Sequence, residues 1–215
     1  MAKTLNPSGK KHRFNKAWMH EHVTDPYVKE AQRLGYRSRS AFKLIELAEK
    51  DKLFRRGMSV VDLGAAPGSW CQVLRERLGP QAKILAVDIL PMTPLPGMTF
   101  VQADFSSDEG LAAVQAALGA ARVDLVLSDM APNLSGIDSV DQARSVHLAE
   151  LALEFASTAL QPGGDFVVKL FQGAGLAEFQ RAVAEHFVKV YVRKPKASRD
   201  RSREIFIVAK RRLDR

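Results

Sequence analysis

Cysteine is nearly missing from this chain of 215 residues, where Cys71 stands alone. One thiol can form neither an internal disulfide nor a thiolate metal cluster, which fits a reducing compartment and leaves no metal site to expect. Long apolar runs are missing too. No stretch approaches the roughly 18 uninterrupted apolar residues of a membrane span, and the basic N-terminus is not followed by the apolar run of a signal peptide. A cytoplasmic protein without membrane contact is the expectation. Acidic residues are absent from positions 1–20, which carry Lys3, Lys10, Lys11, Arg13 and Lys16. Because residues 1–16 also lack apolar periodicity, they are expected to form a mobile basic arm ahead of a single domain over 17–215.

What is present is an ordinary globular composition, 46% hydrophobic and 26% charged, with a net charge of +8. That charge is gathered rather than spread. Besides the arm, residues 193–203 hold Arg193, Lys194, Lys196, Arg199, Arg201 and Arg203 against Asp200 alone. Basic tails can serve solubility only, but an internal cluster between two strand-like runs suggests a polyanionic partner whose counterions are released on contact.

Asp25-Pro26 makes a helix start, and a helical stretch interrupted at Gly35 is expected to run to about Lys50. From Met58 onward, short apolar runs at 58–62, 83–88, 98–102, 123–128 and 165–170 alternate with helical stretches at about 69–78, 109–118, 139–160 and 175–186. The third of these helices is expected to open with Ser139 and Gln142 as a capping box and to close at Pro162-Gly163-Gly164. Alternation of this kind predicts an α/β doubly wound, mostly parallel sheet. The runs 187–193 and 204–209 have no helix between them and are expected to pair antiparallel at its end.

Open α/β sheets bind ligands beyond the carboxyl ends of their strands, so those ends carry the search for chemistry. The first strand runs into Asp62, Gly64, Pro67, Gly68, Ser69 and Trp70, a strand-to-helix turn whose glycines admit a ligand close to the backbone. Asp88 ends the second strand twenty residues after Gly68, a spacing at which a carboxylate can take the two hydroxyls of a ribose. Asp104 follows the third strand and is placed to accept from an adenine amino group. Turn chemistry alone would explain the glycines, but not carboxylates at successive strand ends. The Gly-x-Gly-x-x-Gly spacing of a nicotinamide dinucleotide site is missing, and Pro67 stands where a pyrophosphate would need free amides. An adenosine ligand without phosphates, such as S-adenosylmethionine, suits the loop.

Asp129 ends the fourth strand and Lys169 the fifth, inside an apolar run where a lysine is costly without a partner or a task. Neighbouring strands would place the two side by side, with Lys43 and Glu204 able to converge there. Methyl transfer requires an oxygen nucleophile held at about 3–3.5 Å and relieved of its proton. Lys169 could take that proton if neutral, or as an ammonium it could orient the hydroxyl while the proton leaves late. A buried ion pair without chemistry is the third reading. Other acceptors lack their signatures: there is no Asn/Asp-Pro-Pro-aromatic motif, no cysteine after the fourth strand, and no thiolate set for a zinc deaminase.

Taken together, SRSAFKL at 38–44, DLGAAPGSW at 62–70, SDMAPNLSG at 128–136, PGGDFVVKLFQG at 162–173 and KPKASRDRSREIFIVA at 194–209 resemble the FtsJ/RrmJ-type ribosomal RNA ribose 2′-O-methyltransferases over nearly the whole chain. The resemblance implies a Rossmann-like, seven-stranded sheet with an antiparallel final strand, that of class I S-adenosylmethionine-dependent methyltransferases. It implies a catalytic tetrad of Lys43, Asp129, Lys169 and Glu204, and cofactor contacts at Gly68, Trp70, Asp88, Asp104 and Asp129, to which Asp62, Gly64, Pro67, Ser69, Ile89 and Phe105 are added from the same loops. The partner implied is large-subunit ribosomal RNA, with one uridine of the A-loop methylated on the assembled subunit by a monomer. Where the family usually has Gly-Gly-Trp, this chain has Gly68-Ser69-Trp70. A non-catalytic RNA-binding assembly factor on the same fold is the alternative, against which the intact tetrad speaks. The basic run Lys210-Arg211-Arg212 has no evident role beyond RNA affinity.

Overall fold

The computed structural model describes residues 24–199 and 201–214, so the basic arm over 1–16 lies outside the described residues. Two helices come first, α1 (Pro26–Leu34) and α2 (Ala41–Asp51). Asp25 caps α1 through its carboxylate, which accepts from Tyr27 N at 2.9 Å, and Gly35 ends it in the left-handed conformation at φ 77°, so the predicted break at Gly35 stands. Then strands and helices alternate: β1 (Ser59–Leu63), α3 (Ser69–Leu78), β2 (Lys83–Asp88), β3 (Thr99–Gln102), α4 (Asp108–Leu118), β4 (Val123–Ser128), α5 (Asp138–Ala159), β5 (Leu160–Phe171), α6 (Leu176–His186), β6 (Phe187–Arg193) and β7 (Glu204–Arg212).

The strands form one 7-stranded sheet in the order β3-β2-β1-β4-β5-β7-β6. Pairs β1–β2, β1–β4, β2–β3 and β4–β5 are parallel, while β7 lies antiparallel between β5 and β6. Both faces are covered, which is why the strands read as continuous apolar runs. Toward the carboxyl ends of the central strands, side chains alternate between two cores. Val61, Val126, Phe166, Val168, Ile205 and Ile207 pack on the face covered by α5 and α6. Val60, Leu125, Leu127, Val167, Phe206 and Val208 pack on the face covered by α2 and α3. Continuing that period of two, Asp129, Lys169 and Glu204 fall on the α2 side, toward Lys43.

Two expectations give way. Ser139 and Gln142 do not form a capping box: the residue ahead of α5 is Ile137, with no side-chain cap bond. The chain enters the helix earlier because Asp141 accepts from Ser135 N and Ser135 Oγ, both at 2.7 Å, and so ties the incoming loop to the first turn. Gln142 instead donates to Phe171 O at 2.8 Å and Ala174 O at 3.0 Å, pinning the end of β5. Nor does Pro162-Gly163-Gly164 close α5, which stops at Ala159; β5 begins at Leu160, paired with Val123 before a register shift lets Asp165 pair with Leu125. No helix among the described residues is long and apolar enough to cross a membrane.

Candidate active site

The turn after β1 is forced against the loop after β4. Gly64 has φ +79°, and a Cβ there would lie 2.8 Å from Met130 N. Asp129 N donates to Leu63 O at 3.0 Å, and Gly64 N to Val87 O at 2.9 Å, so β1, β2 and β4 end as one unit. Beyond them opens a cavity of about 430 Å³, lined by Gly64, Ala66, Asp88, Ile89, Leu90, Asp104, Phe105, Ser106, Asp129, Met130 and Asn133 among others. It contains three carboxylates, and no lysine or arginine among the described residues lines it.

Each carboxylate is shaped locally. Asp88 accepts from Ala66 N and Leu90 N, both at 2.8 Å, and keeps lone pairs for further donors. Asp104 is exposed and accepts from the Ser106 hydroxyl at 2.6 Å and Ser106 N at 3.0 Å, bonds that hold its carboxyl below the usual range. Ile89 is 61% exposed at the rim, whereas Phe105 is 7% exposed and stands edge-on to Phe155 with centroids 5.5 Å apart.

Five residues of the predicted cofactor set do not line this cavity: Asp62, Pro67, Gly68, Ser69 and Trp70. Asp62 is fully buried; its Oδ2 accepts from Cys71 Sγ at 3.3 Å and its Oδ1 has no partner. Burial pushes its carboxyl up to about 7, and the negative charges of Asp129 and Asp88 act the same way. Pro67 O and Thr93 O both accept from Arg37 Nη1, at 2.9 and 2.7 Å, so this guanidinium, absent from the sequence reading, straps the cofactor turn to the loop after β2. Gly68 (φ +102°) lies beneath that strap, where a Cβ would come within 2.5 Å of Arg37 Nη1. Trp70 faces α2, its indole donating to Ser40 O at 2.8 Å.

The four charged residues from distant parts of the chain do meet. Lys169 Nζ lies 2.9 Å from Asp129 Oδ1 and donates to Asp129 O at 2.7 Å; Lys43 Nζ lies 2.7 Å from Glu204 Oε1. Lys169 faces Phe206 across the β5–β7 ladder, and Lys43 Nζ sits 5.9 Å from the centroid of that ring. Burial by itself would raise the Glu204 carboxyl, but the ammonium of Lys43, with Lys169 behind it, outweighs that and holds it below the usual range. Carboxylates and ammoniums thus balance in pairs within a nearly dry site, the condition for keeping them there.

On the far side of this tetrad lies a second cavity, about 460 Å³, lined by Ser38, Arg39, Ser40, Lys43, Ala197, Arg199, Arg201, Ser202 and Glu204. Its cations divide the basic segment that sequence treats as one cluster. Arg193 is committed to Asp51 at 2.6 Å and lies 4.5 Å from the Tyr191 ring centroid, and Lys194 donates to Ser202 O at 2.9 Å. Arg199 and Arg201 face the cavity. The SRS triplet of the SRSAFKL motif completes the wall with its side chains, a role that the motif alone did not give.

The basic run at 210–212 lies at the other end of the sheet. Lys210 Nζ pairs with Asp165 Oδ2 at 2.5 Å, Arg211 N donates to Asp165 Oδ1 at 2.9 Å, and Arg212 Nε donates to Ser157 O at 2.7 Å. These residues close the sheet's lower edge.

Known proteins share this sequence closely. A ribosomal RNA large subunit methyltransferase E from Azoarcus sp. is 58% identical over 199 residues, 93% of this chain and 97% of that protein. One from Thiobacillus denitrificans is 54% identical, covering 94% of this chain and 92% of its own. Among solved structures, a ribosomal RNA methyltransferase from Plasmodium falciparum aligns with a TM-score of 0.74 at 30% identity, covering 84% of this chain and 100% of that one. With residues 36–212 matching the family model as well, the chain belongs to the FtsJ-like methyltransferase family.

Proposed function

We propose that this chain transfers a methyl group from S-adenosylmethionine to the 2′-hydroxyl of a ribose in large-subunit ribosomal RNA. The observation that carries this reading is the contrast between the two cavities on either side of the tetrad. One holds three carboxylates and no cation among the described residues, which suits a phosphate-free, positively charged ligand. Its neighbour holds three arginines and Lys43 around Glu204, which suits a phosphodiester chain. The relatives' names supply the substrate class, large-subunit ribosomal RNA. The A-loop uridine on the assembled subunit is the specific target proposed, reached in the cytoplasm by a monomeric domain over 17–215 carrying its basic arm.

S-adenosylmethionine supplies an electrophilic methyl on a charged sulfur. Asp88 would hold its ribose hydroxyls and Asp104 its adenine amino group, with Ile89 against the base, while the backbone at Gly64 and Ala66 allows close approach. Lys169 and Asp129 would orient the acceptor. Nζ of Lys169 donates to Asp129 O and lies 2.9 Å from Asp129 Oδ1 as an ion pair, so an ammonium there keeps an N–H to direct at the 2′-oxygen. Holding that oxygen's free lone pair on the methyl is the main contribution, because positioning alone can supply several kcal/mol, about 7 or more in well-oriented cases. This arrangement favours Lys169 as the orienting ammonium, with the hydroxyl proton leaving late, to solvent water, as the methyl–sulfur bond breaks and the methyl–oxygen bond forms. Lys43 keeps Glu204 ionised, so that Glu204 can accept from a neighbouring sugar hydroxyl at the cavity mouth.

The test is methyl transfer from tritiated S-adenosylmethionine to large subunits prepared without the modification, with the 2′-O-methyl position mapped. Incorporation at one ribose is expected. Tight subunit binding without incorporation would make the chain an assembly factor instead.

A further inference from the structure

Three serine hydroxyls form a closed ring where the cofactor turn meets α2. Ser69 Oγ lies 2.9 Å from Ser38 Oγ and 2.6 Å from Ser40 Oγ, and Ser38 Oγ lies 2.8 Å from Ser40 Oγ. Ser69 is 2% exposed and opens α3 directly after Gly68. Its two partners line the cation-rich cavity. The ring therefore touches the turn whose Gly64 and Ala66 wall one cavity and the residues that wall the other.

A hydroxyl has one proton to give. With every side of the triangle bonded, each hydroxyl donates to the next and none keeps a proton for an outside acceptor. Ser38 Oγ also accepts from Ser40 N at 3.2 Å, which fills its remaining lone pair. An anionic oxygen entering beside Ser38 or Ser40 can be bonded by a hydroxyl only if that hydroxyl turns out of the ring and opens it, since reversing a closed ring frees no proton. Where the hydroxyl turned outward is the one that donates to Ser69, Ser69 Oγ loses an accepted bond at the first residue of α3. Hydrogen-bond rings of this kind polarise cooperatively, so a change at one corner is felt at the others.

We propose that Ser69 is a positioning residue that couples the two cavities: occupancy of the acceptor side by RNA phosphate resets the hydroxyl ring and thereby the affinity of the cofactor turn. This rests on the functional reading above. Trp70 Nε1 holds Ser40 O independently, so removing the Ser69 hydroxyl leaves one tie between the elements in place.

The coupling is read with tritiated S-adenosylhomocysteine, which cannot react, by equilibrium dialysis against the full-length enzyme alone and saturated with unmethylated large subunits. For the wild type the two dissociation constants should differ about fivefold or more, the lower end of ordinary allosteric coupling. In Ser69→Ala the ratio should collapse toward one, and Ser40→Ala/Ser69→Ala should lower it no further. The reciprocal leg, subunit affinity with and without S-adenosylhomocysteine, must give the same ratio. A wild-type ratio of one, or a ratio fully retained in Ser69→Ala, overturns the proposal. Should Ser69→Ala fail to fold, Ser40→Ala must show the same collapse. Absence of wild-type methyl transfer in parallel reactions would instead remove the functional reading, and the coupling with it.

Discussion

Gly64 and Met130 approach so closely that a methyl group does not fit between them: a Cβ on Gly64 would lie 2.8 Å from Met130 N and 2.9 Å from Met130 Cα. Backbone, not a flexible side chain, occupies the space, and φ +79° adds left-handed strain for any other residue. Gly64→Ala should therefore push the loop after β4 outward, moving Asp129 relative to Lys169. Stability should fall by about 2–5 kcal/mol, the sum of overpacking and left-handed strain. Chemical denaturation measures that loss, and S-adenosylhomocysteine affinity should fall with it. A variant with unaltered affinity would show that the cavity tolerates displacement of its wall.

The sheet was legible because its central strands β1, β2, β4, β5 and β7 are largely buried on both faces, and apolar runs separated by helical periods follow directly from that. Asp129 and Lys169 were legible as charged residues closing such runs. Glu204 and Lys43 were legible as charges able to converge there, but not the register that does it: the antiparallel pairing of Phe171 with Glu204 brings residue 204 up to the carboxyl ends of parallel strands. Long-range register of this kind leaves no local trace. The capping-box reading at Ser139 failed because Asp141 serves the preceding loop, a tertiary use that outweighs local spacing. Likewise, the 193–203 cluster looked uniform because charge is visible in sequence while a partner such as Asp51, 142 residues from Arg193, is not.

Asp62 should make stability depend on pH with a definite sign. Its carboxyl is fully buried and raised to about 7, from an ordinary value of 3.8. At low pH the folded and unfolded chains both carry the proton, and no penalty arises. As pH rises through that window, the unfolded chain releases the proton while the folded chain keeps it, so stability falls at up to about 1.4 kcal/mol per pH unit for one proton. Above about 7 the folded group ionises too and the decline stops. Asp62→Asn removes this contribution. Urea denaturation at pH 5 and pH 8 should show the variant gaining on the wild type at the higher pH; equal differences at both would mean that Asp62 is not protonated at the lower.

The two ion pairs of the tetrad should be separable by function. Lys169→Ala removes the donor facing Asp129 and should lower single-turnover methyl transfer by about a hundredfold or more, as loss of an aligned donor does elsewhere. Cofactor affinity should survive, since Lys169 is not part of the cofactor cavity wall. Lys43→Ala and Glu204→Gln should be strongly non-additive, because each leaves the other unpaired at 2.7 Å separation in a largely dry site. If the double variant loses the full sum of the two single losses, the pair acts as two independent groups.

Net charge alone would assign Lys210 and Arg212 to RNA, but their side-chain contacts assign them to the fold. Asp165 is 8% exposed, and its carboxylate is satisfied by Lys210 Nζ and Arg211 N at the end of the sheet opposite the tetrad. Lys210→Ala leaves that carboxylate short of a charged partner and should destabilise the chain by roughly 1–3 kcal/mol. Subunit affinity should keep its salt dependence, since no phosphate contact is lost there. Arg201→Ala, at the cation-lined cavity, should act on binding: the slope of log affinity against log salt becomes shallower by about 0.7–0.9, the value for one phosphate contact. Should the Lys210 variant flatten that slope instead, the RNA path would have to extend over the lower edge of the sheet.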